Sequence, residues 1–209
     1  LVVSNPFIAK LIHYSGAKDS FFYIGKECWM YDGVKWHNKS KSLPQNNEMI
    51  MGFDINVSNP NQLFVSYDQQ TWNSQNLIQK LYKSSDAGKT WVDITMNLPI
   101  LAWRHAVSIS TNNENPSDVY VSLGKTDYTD VYKVFRSTDG GKTWNNYSEG
   151  LLPYETFIIK HIPSSSGVIV STLGGLYYRN EKMTSWQALK GKIPPIASRE
   201  FIIDRLEKD

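Results

Sequence analysis

Two aspartates occupy positions where a carboxylate could take part in catalysis. Asp54 and Asp204 each lie eleven residues after a leucine or isoleucine that precedes a proline, near the end of a predicted strand. Hydrolysis of a glycosidic bond commonly uses two carboxyl groups about 5 to 9.5 Å apart. In three other segments, counting eleven residues from the corresponding leucine reaches Ile12, Ile109 and Pro163. These residues have no carboxylate, so the position has no catalytic role that the segments share. The alternative is that each aspartate caps the turn after its strand.

Charged residues near two predicted strands form a second group, suited to binding. Arg104 and His105 come just before one strand, and His161 lies in the corresponding strand of the next segment. If the first strands of neighbouring segments converge, these side chains could line a rim that faces a ligand. The alternative is that they are polar residues at the surface or at strand edges.

Four aromatic residues lie on or beside two long insertions, at 70–79 and 125–130. They are Tyr67, Trp72, Tyr128 and Tyr132. Aromatic rings exposed on loops stack on sugar rings or anchor a protein partner. The alternative is that some of them belong to the core. These residues therefore indicate a binding surface for a protein or a polysaccharide.

The composition argues against several other kinds of site. The formal net charge is +2 and the lysines are scattered, so we expect no nucleic-acid partner. One cysteine, Cys28, and four dispersed histidines lack the usual zinc spacings, and we expect no metal and no cofactor. No apolar run approaches about 18 residues, so we expect no membrane insertion. The chain begins at Leu1 without methionine, which indicates a mature or excised piece of a larger polypeptide.

A repeated tryptophan marks the elements that must position these residues. Each tryptophan is followed seven or eight residues later by Leu-Pro or Ile-Pro, and then by an apolar, strand-like run. The four tryptophans are Trp36, Trp91, Trp144 and Trp186. Each unit holds four predicted strands in about 40 to 55 residues, which is the repeat of a β-propeller blade.

The sequence therefore predicts an all-β fold, a β-propeller with four-stranded antiparallel blades. The blades are expected at about 5–44, 45–99, 100–153 and 154–194, and residues 195–209 are expected to begin a fifth. Because Leu1 to Ile12 already provide a first strand, the last strand is not needed to complete the first blade. A part of a larger propeller is therefore favoured over a closed ring.

Two of the tryptophans end nearly identical octets that lie 53 residues apart. In both copies the aspartate can accept hydrogen bonds from backbone N–H groups of a turn, and the glycine permits a positive φ. The tryptophan then packs as the return strand begins. The octet thus predicts a hairpin turn with a structural role. Its residues are Ser84, Asp86, Gly88, Thr90 and Trp91, and again Ser137, Asp139, Gly141, Thr143 and Trp144.

The octet resembles the Asp-box, or bacterial neuraminidase repeat, of sialidases, xyloglucan-degrading endoglucanases, sortilin-type receptors and secreted bacterial propellers. The resemblance implies a propeller whose boxes lie on outer hairpins, away from any active centre, and it implies no single function. It is strong only over residues 79–153. The first unit has the shorter turn Asp32-Gly33, and the fourth, at 180–186, has neither aspartate nor glycine.

Residues 174–194 resemble late propeller repeats of large secreted proteins from Bacteroidetes-type bacteria, which implies export to the cell surface, with type IX secretion as one route. We expect a non-catalytic binding module of a secreted or cell-surface protein. One alternative is a sialidase- or xyloglucanase-like glycoside hydrolase whose catalytic carboxylates lie partly outside this segment. Another is a sortilin-like receptor or assembly factor. Five arginines and no Arg-Ile-Pro signature argue against sialidase activity within the segment.

Overall fold

The computed structural model describes residues 10–14, 19–44, 50–67, 80–99, 105–124 and 131–189, together with Ile203. These residues form sixteen β-strands and one turn of 3-10 helix, Thr95–Asn97, and no α-helix occurs among them. The strands make four antiparallel sheets of four strands each, all in sequence order. The predicted all-β fold with four-stranded antiparallel units is confirmed. The expected start of a fifth blade, at 195–209, lies outside the described residues except for Ile203.

We call the four sheets blades one to four. Blade one contains β1 (Lys10–His13), β2 (Phe21–Ile24), β3 (Cys28–Tyr31) and β4 (Trp36–Asn38). Blade two contains β5 (Ile50–Ile55), β6 (Leu63–Tyr67), β7 (Lys80–Ser84) and β8 (Val92–Asp93). Blade three contains β9 (His105–Thr111), β10 (Val119–Gly124), β11 (Val134–Ser137) and β12 (Asn145–Asn146). Blade four contains β13 (Thr156–His161), β14 (Val168–Thr172), β15 (Gly175–Arg179) and β16 (Gln187–Ala188).

Blades two and three are covered on both faces, and their second strands reflect this. Every residue of β6 and β10 is buried, because both faces of these strands pack against a neighbouring blade. In β2, by contrast, Phe22 and Ile24 are buried while Tyr23 is exposed and Phe21 is half-buried. Among the residues that the structure describes, blade one therefore packs through one face.

Blades two, three and four adjoin through their first strands, since β5 lies beside β9 and β9 lies beside β13. Three apolar clusters fill the spaces between blades. They are centred on Phe22, Phe53 and Val65 between blades one and two, on Phe64, Val121 and Phe135 between blades two and three, and on Tyr120, Val170 and Tyr177 between blades three and four. We call the side of a blade that meets the preceding blade its predecessor face, and the other side its successor face.

The two octets form closed turns of the same geometry. In the first, Asp86 Oδ2 accepts a hydrogen bond from Thr90 Oγ1 at 2.6 Å, and Oδ1 accepts from the backbone N of Thr90 and Lys89 at 2.9 and 3.1 Å. Asp139 repeats these three bonds at 2.6, 2.9 and 2.9 Å. Because the hydroxyl and backbone donors favour the ionised carboxylate, they lower the pKa of both aspartates to about 2.

The first octet needs a glycine at position 88 because of its backbone conformation and because a side chain there would have no room. Gly88 has a φ of +83°, a region that side chains other than glycine rarely adopt. A Cβ atom there would lie 2.5 Å from the carbonyl oxygen of Lys39 in blade one. The turn therefore packs against the preceding blade, and Ser42 Oγ, which follows β4, donates to Lys89 O in the turn at 2.7 Å.

Candidate functional site

Asp54 connects blade two to blade three. Its Oδ2 atom accepts hydrogen bonds from Thr111 in β9, at 2.5 Å from the backbone N and 2.9 Å from Oγ1. Ser110 occupies the equivalent place in blade three, because Asp54 pairs with Phe64 in the sheet register and Ser110 pairs with Tyr120. Its hydroxyl accepts a hydrogen bond from the backbone N of His161 in blade four at 2.9 Å. Asp54 and Ser110 thus make the same inter-blade contact.

Burial raises the pKa of Asp54 to about 6, although the two hydrogen bonds from Thr111 and the positive charge of Lys160 oppose the rise. A raised pKa suits a general acid, but here the carboxylate oxygen is already engaged by Thr111. The other weak catalytic candidate, Asp204, lies outside the described residues.

The turns after these strands are capped by asparagines, which the sequence analysis missed. Asn56 Oδ1 accepts hydrogen bonds from Ser58 Oγ and the backbone N of Asn59 at 2.8 and 2.9 Å. Asn112 Oδ1 similarly accepts from the backbone N of Glu114 and Asn115 at 2.9 and 3.2 Å. The signal was present, because both segments read Asn followed three residues later by Asn-Pro.

A buried ion pair lies between blades three and four. Asp118 is buried and receives two hydrogen bonds from Arg136, at 2.7 Å from Nε and 2.9 Å from Nη2. The hydroxyl of Tyr120 donates to the same carboxylate at 3.0 Å. Arg136 also contacts Glu181 of blade four at 3.2 Å. The charged and polar groups of this cluster are thus hydrogen-bonded to one another, and the cluster stabilises the interface.

His161 lies at the edge of this cluster. Its buried ring stacks on Tyr120 with the ring centres 6.4 Å apart, and Nδ1 lies 3.8 Å from the carboxylate of Glu114. Neither ring nitrogen has a hydrogen-bond partner among the described residues. Burial lowers the pKa of His161, so the imidazole is neutral near pH 7. The structure places this side chain between blades, away from solvent.

The other predicted binding residues fall in different places. Tyr67 is buried at the end of β6, edge-on to Tyr82 with ring centres 6.2 Å apart. His105 begins β9, where only its backbone is described. Three residues lie outside the described part of the chain: Trp72, Arg104 and Tyr128. Among the residues whose side chains are described, the structure therefore brings no two of the predicted binding residues together.

A different surface lies at the end of the blades where each second strand ends and each third strand begins, which we call the loop end. Three aliphatic side chains at this end of blades three and four, Val131, Leu152 and Leu173, are between 47% and 63% exposed. The segments that carry two of them are joined, because Leu173 N donates to Glu155 O at 3.1 Å. The ring of Tyr154 packs where Gly174 has no Cβ atom. These side chains are the exposed aliphatic groups on which we base a candidate contact surface.

The described residues hold no group of three or more histidine, cysteine, aspartate or glutamate side chains that could bind a metal ion. In the same part of the chain, no helix has the length and apolar character needed to cross a membrane. The loop end is the candidate surface that we consider below.

Comparison with known proteins identifies the fold. No family model matches the chain, and no curated protein matches it. A GH74 enzyme from Niastella koreensis is similar in structure, with a TM-score of 0.61 and 15% identity over 86% of this chain and 29% of that one. An ancestral GH74 enzyme gives a TM-score of 0.63 and 12% identity over 88% and 24%. YCF48 bound to D1 peptide gives 0.54 and 12% identity over 88% and 58%.

The chain is a β-propeller module: four antiparallel four-stranded sheets follow one another, and the similar solved structures are propeller proteins. It spans between about a quarter and somewhat over half of the length of these three chains. At these identities the similarity concerns the fold alone.

Proposed function

We propose that this propeller is a non-catalytic binding module of a secreted or cell-surface protein, and that it recognises a protein or a polysaccharide through the loop end. The observation that carries the proposal is the exposure of Val131, Leu152 and Leu173 at that end. The octet turns, by contrast, have their polar groups engaged within the turn and against the preceding blade. The loop end is thus the side with surface left for a partner.

The peptide-bound neighbour supports recognition of a protein. YCF48 has been seen with a D1 peptide and shares the propeller fold with this chain. Exposed aliphatic side chains at the same end of the blades favour a partner with apolar groups, since each gains from removal from water.

Binding of a displayed peptide library and of a glycan array tests the proposal. We expect a selected peptide or glycan to bind the chain. We expect it to bind the variants Leu173→Asp and Leu152→Asp with an affinity at least about tenfold lower. Val34→Asp is the matched control, because Val34 is an exposed aliphatic residue on the turn between β3 and β4, away from the loop end. Equal loss in the control, or no binding by any probe, would contradict the proposal.

The second candidate is a glycoside hydrolase, which the similarity to two GH74 enzymes brings into consideration. Incubation with xyloglucan and with sialosides separates it from a binding module. We expect no reducing ends and no free sialic acid above background. Turnover that is lost in Asp54→Asn would favour the hydrolase, and so would turnover that needs Asp204.

A further inference from the structure

The predecessor faces of blades two, three and four are built from the same four positions. Across the sheet register, each face uses one residue from each of the first three strands and the repeated tryptophan. The sets are Phe53, Val65, Tyr82 and Trp91 in blade two, Ile109, Val121, Phe135 and Trp144 in blade three, and Ile159, Val170, Tyr177 and Trp186 in blade four. Each set packs against the blade that comes immediately before it in sequence.

Blade one also fills the same four positions with apolar residues, but three of them are exposed and the fourth is half-buried. They are Leu11, Tyr23, Trp29 and Trp36. Leu11, Tyr23 and Trp36 are 69%, 45% and 46% exposed, whereas Trp144 and Trp186 are 7% and 3% exposed. None of the four positions carries a charge, which is the composition of the centre of an interface.

The aromatic rings on this face are arranged for packing rather than for stacking on a sugar. Phe21, Tyr31 and Trp36 lie with ring centres 5.2 to 5.3 Å apart, and their planes are inclined by 38°, 49° and 84° to one another. A saccharide needs one open, flat ring face, whereas inclined rings at this spacing are the geometry of a protein core. The open face therefore fits a protein surface.

We propose that a further four-stranded blade of the same polypeptide, contributed by sequence before Leu1, packs on this face through its own successor face. Each of the three observed predecessor faces is covered by the blade that precedes it in the chain, and the proposal continues this order. Residues 1–9 are too few to supply such a blade, because a blade here needs about 40 to 55 residues.

The existing interfaces define what the occupant must present. Trp91 Nε1 donates to Lys39 O at 3.1 Å, and Trp186 Nε1 donates to Tyr147 O at 2.5 Å. Each acceptor lies three residues after the tryptophan of the preceding blade. Among the described residues, none accepts a hydrogen bond from the indole of Trp36. The missing blade should offer a carbonyl oxygen three residues after its own tryptophan, beside an apolar second strand.

Oxidation of tryptophan by N-bromosuccinimide, followed by peptide mass spectrometry, tests the proposal. In the 209-residue chain we expect Trp36 to react severalfold faster than Trp144 and Trp186, whose slow reaction also reports that the chain is folded. In the polypeptide extended by its upstream sequence, we expect Trp36 to become as slow as these two. Fast reaction of Trp36 in the extended polypeptide, or upstream sequence that encodes no blade, would overturn the proposal.

Sedimentation of the 209-residue chain at increasing concentration identifies the competing occupant, a second copy. We expect the chain to remain a monomer in which Trp36 stays reactive. A dimer in which Trp36 becomes protected would overturn the proposal, because a second copy would then be the occupant of this face. Both results are independent of what binds the loop end.

Discussion

Two consecutive interfaces in this propeller have the same backbone geometry and different side-chain chemistry. Between blades two and three, the carboxylate of Asp54 accepts from Thr111, and the interface also contains an apolar cluster. Between blades three and four, the hydroxyl of Ser110 accepts from His161, beside a buried ion pair. The repeat therefore sets where an acceptor is needed, and either a hydroxyl or a carboxylate can provide it.

The tryptophans at these interfaces differ in the same way. Trp186 donates its indole N–H to Tyr147 O, whereas the buried N–H of Trp144 has no hydrogen-bond partner among the described residues. Hydrogen bonds cross both interfaces, such as the one from Asn97 Nδ2 to Gly141 O at 2.9 Å between blades two and three, but the tryptophan donates one only between blades three and four. Variants that remove one polar group at a time should affect the two interfaces unequally.

The largest effect is expected for Arg136→Met, which leaves the buried carboxylate of Asp118 without its cation. Removing one partner of a buried pair costs about 3 to 5 kcal/mol, because the remaining charge is poorly solvated. We expect a loss of about 3 kcal/mol in the free energy of unfolding, measured by urea denaturation. The double variant with Asp118→Asn should recover part of the loss, and a loss below about 1 kcal/mol in the single variant would show that water solvates the carboxylate.

The repeat in the sequence was sufficient to predict the blades, but residue counting failed to align them. A count of eleven from the preceding Leu or Ile matched Asp54 with Ile109 and Pro163, whereas the sheet register matches it with Ser110 and Lys160. The register shifts within each of these three blades, between Ile50 and Gly52 in blade two and at corresponding irregularities in blades three and four. The connections before the first strands also differ in length.

The contacts between blades could not be predicted for a different reason. Asp118 and Arg136 lie 18 residues apart on adjacent strands, and both face blade four, where Glu181 and His161 meet them. No periodic pattern in the sequence predicts such a pairing, because it depends on which residues of two separate sheets lie opposite each other. The octets were predictable because all of their bonds lie within four residues.

The next effect concerns the pH dependence of the two inter-blade contacts. Asp54 has a folded pKa of about 6, above its ordinary value of 3.8, so the folded state holds this proton more tightly than the unfolded state. The contribution of this group to the free energy of unfolding is therefore greatest below about pH 4. It falls by on the order of 2 kcal/mol as the pH rises to about 6.

Asp54→Ser copies the acceptor found at Ser110 and removes the titration. We expect the stability of the wild type minus that of the variant to fall between pH 4 and pH 7, as measured by urea denaturation at each pH. His161, with its lowered pKa, acts with the opposite sign in this range, but it is present in both proteins and cancels in the difference. A difference that does not change with pH would mean that Asp54 titrates as an exposed carboxylate.

The smallest effect separates the two tryptophans. Trp144→Phe and Trp186→Phe remove a similar volume from the two interfaces, but only the second removes a hydrogen bond, which contributes about 1 kcal/mol. Tyr147 O keeps a bond from Arg179 Nη1 at 3.2 Å, so no buried acceptor is left unpaired to add a further cost. We expect Trp186→Phe to lower the free energy of unfolding by about 1 kcal/mol more than Trp144→Phe. Equal losses would indicate that the indole of Trp144 finds a water partner of its own.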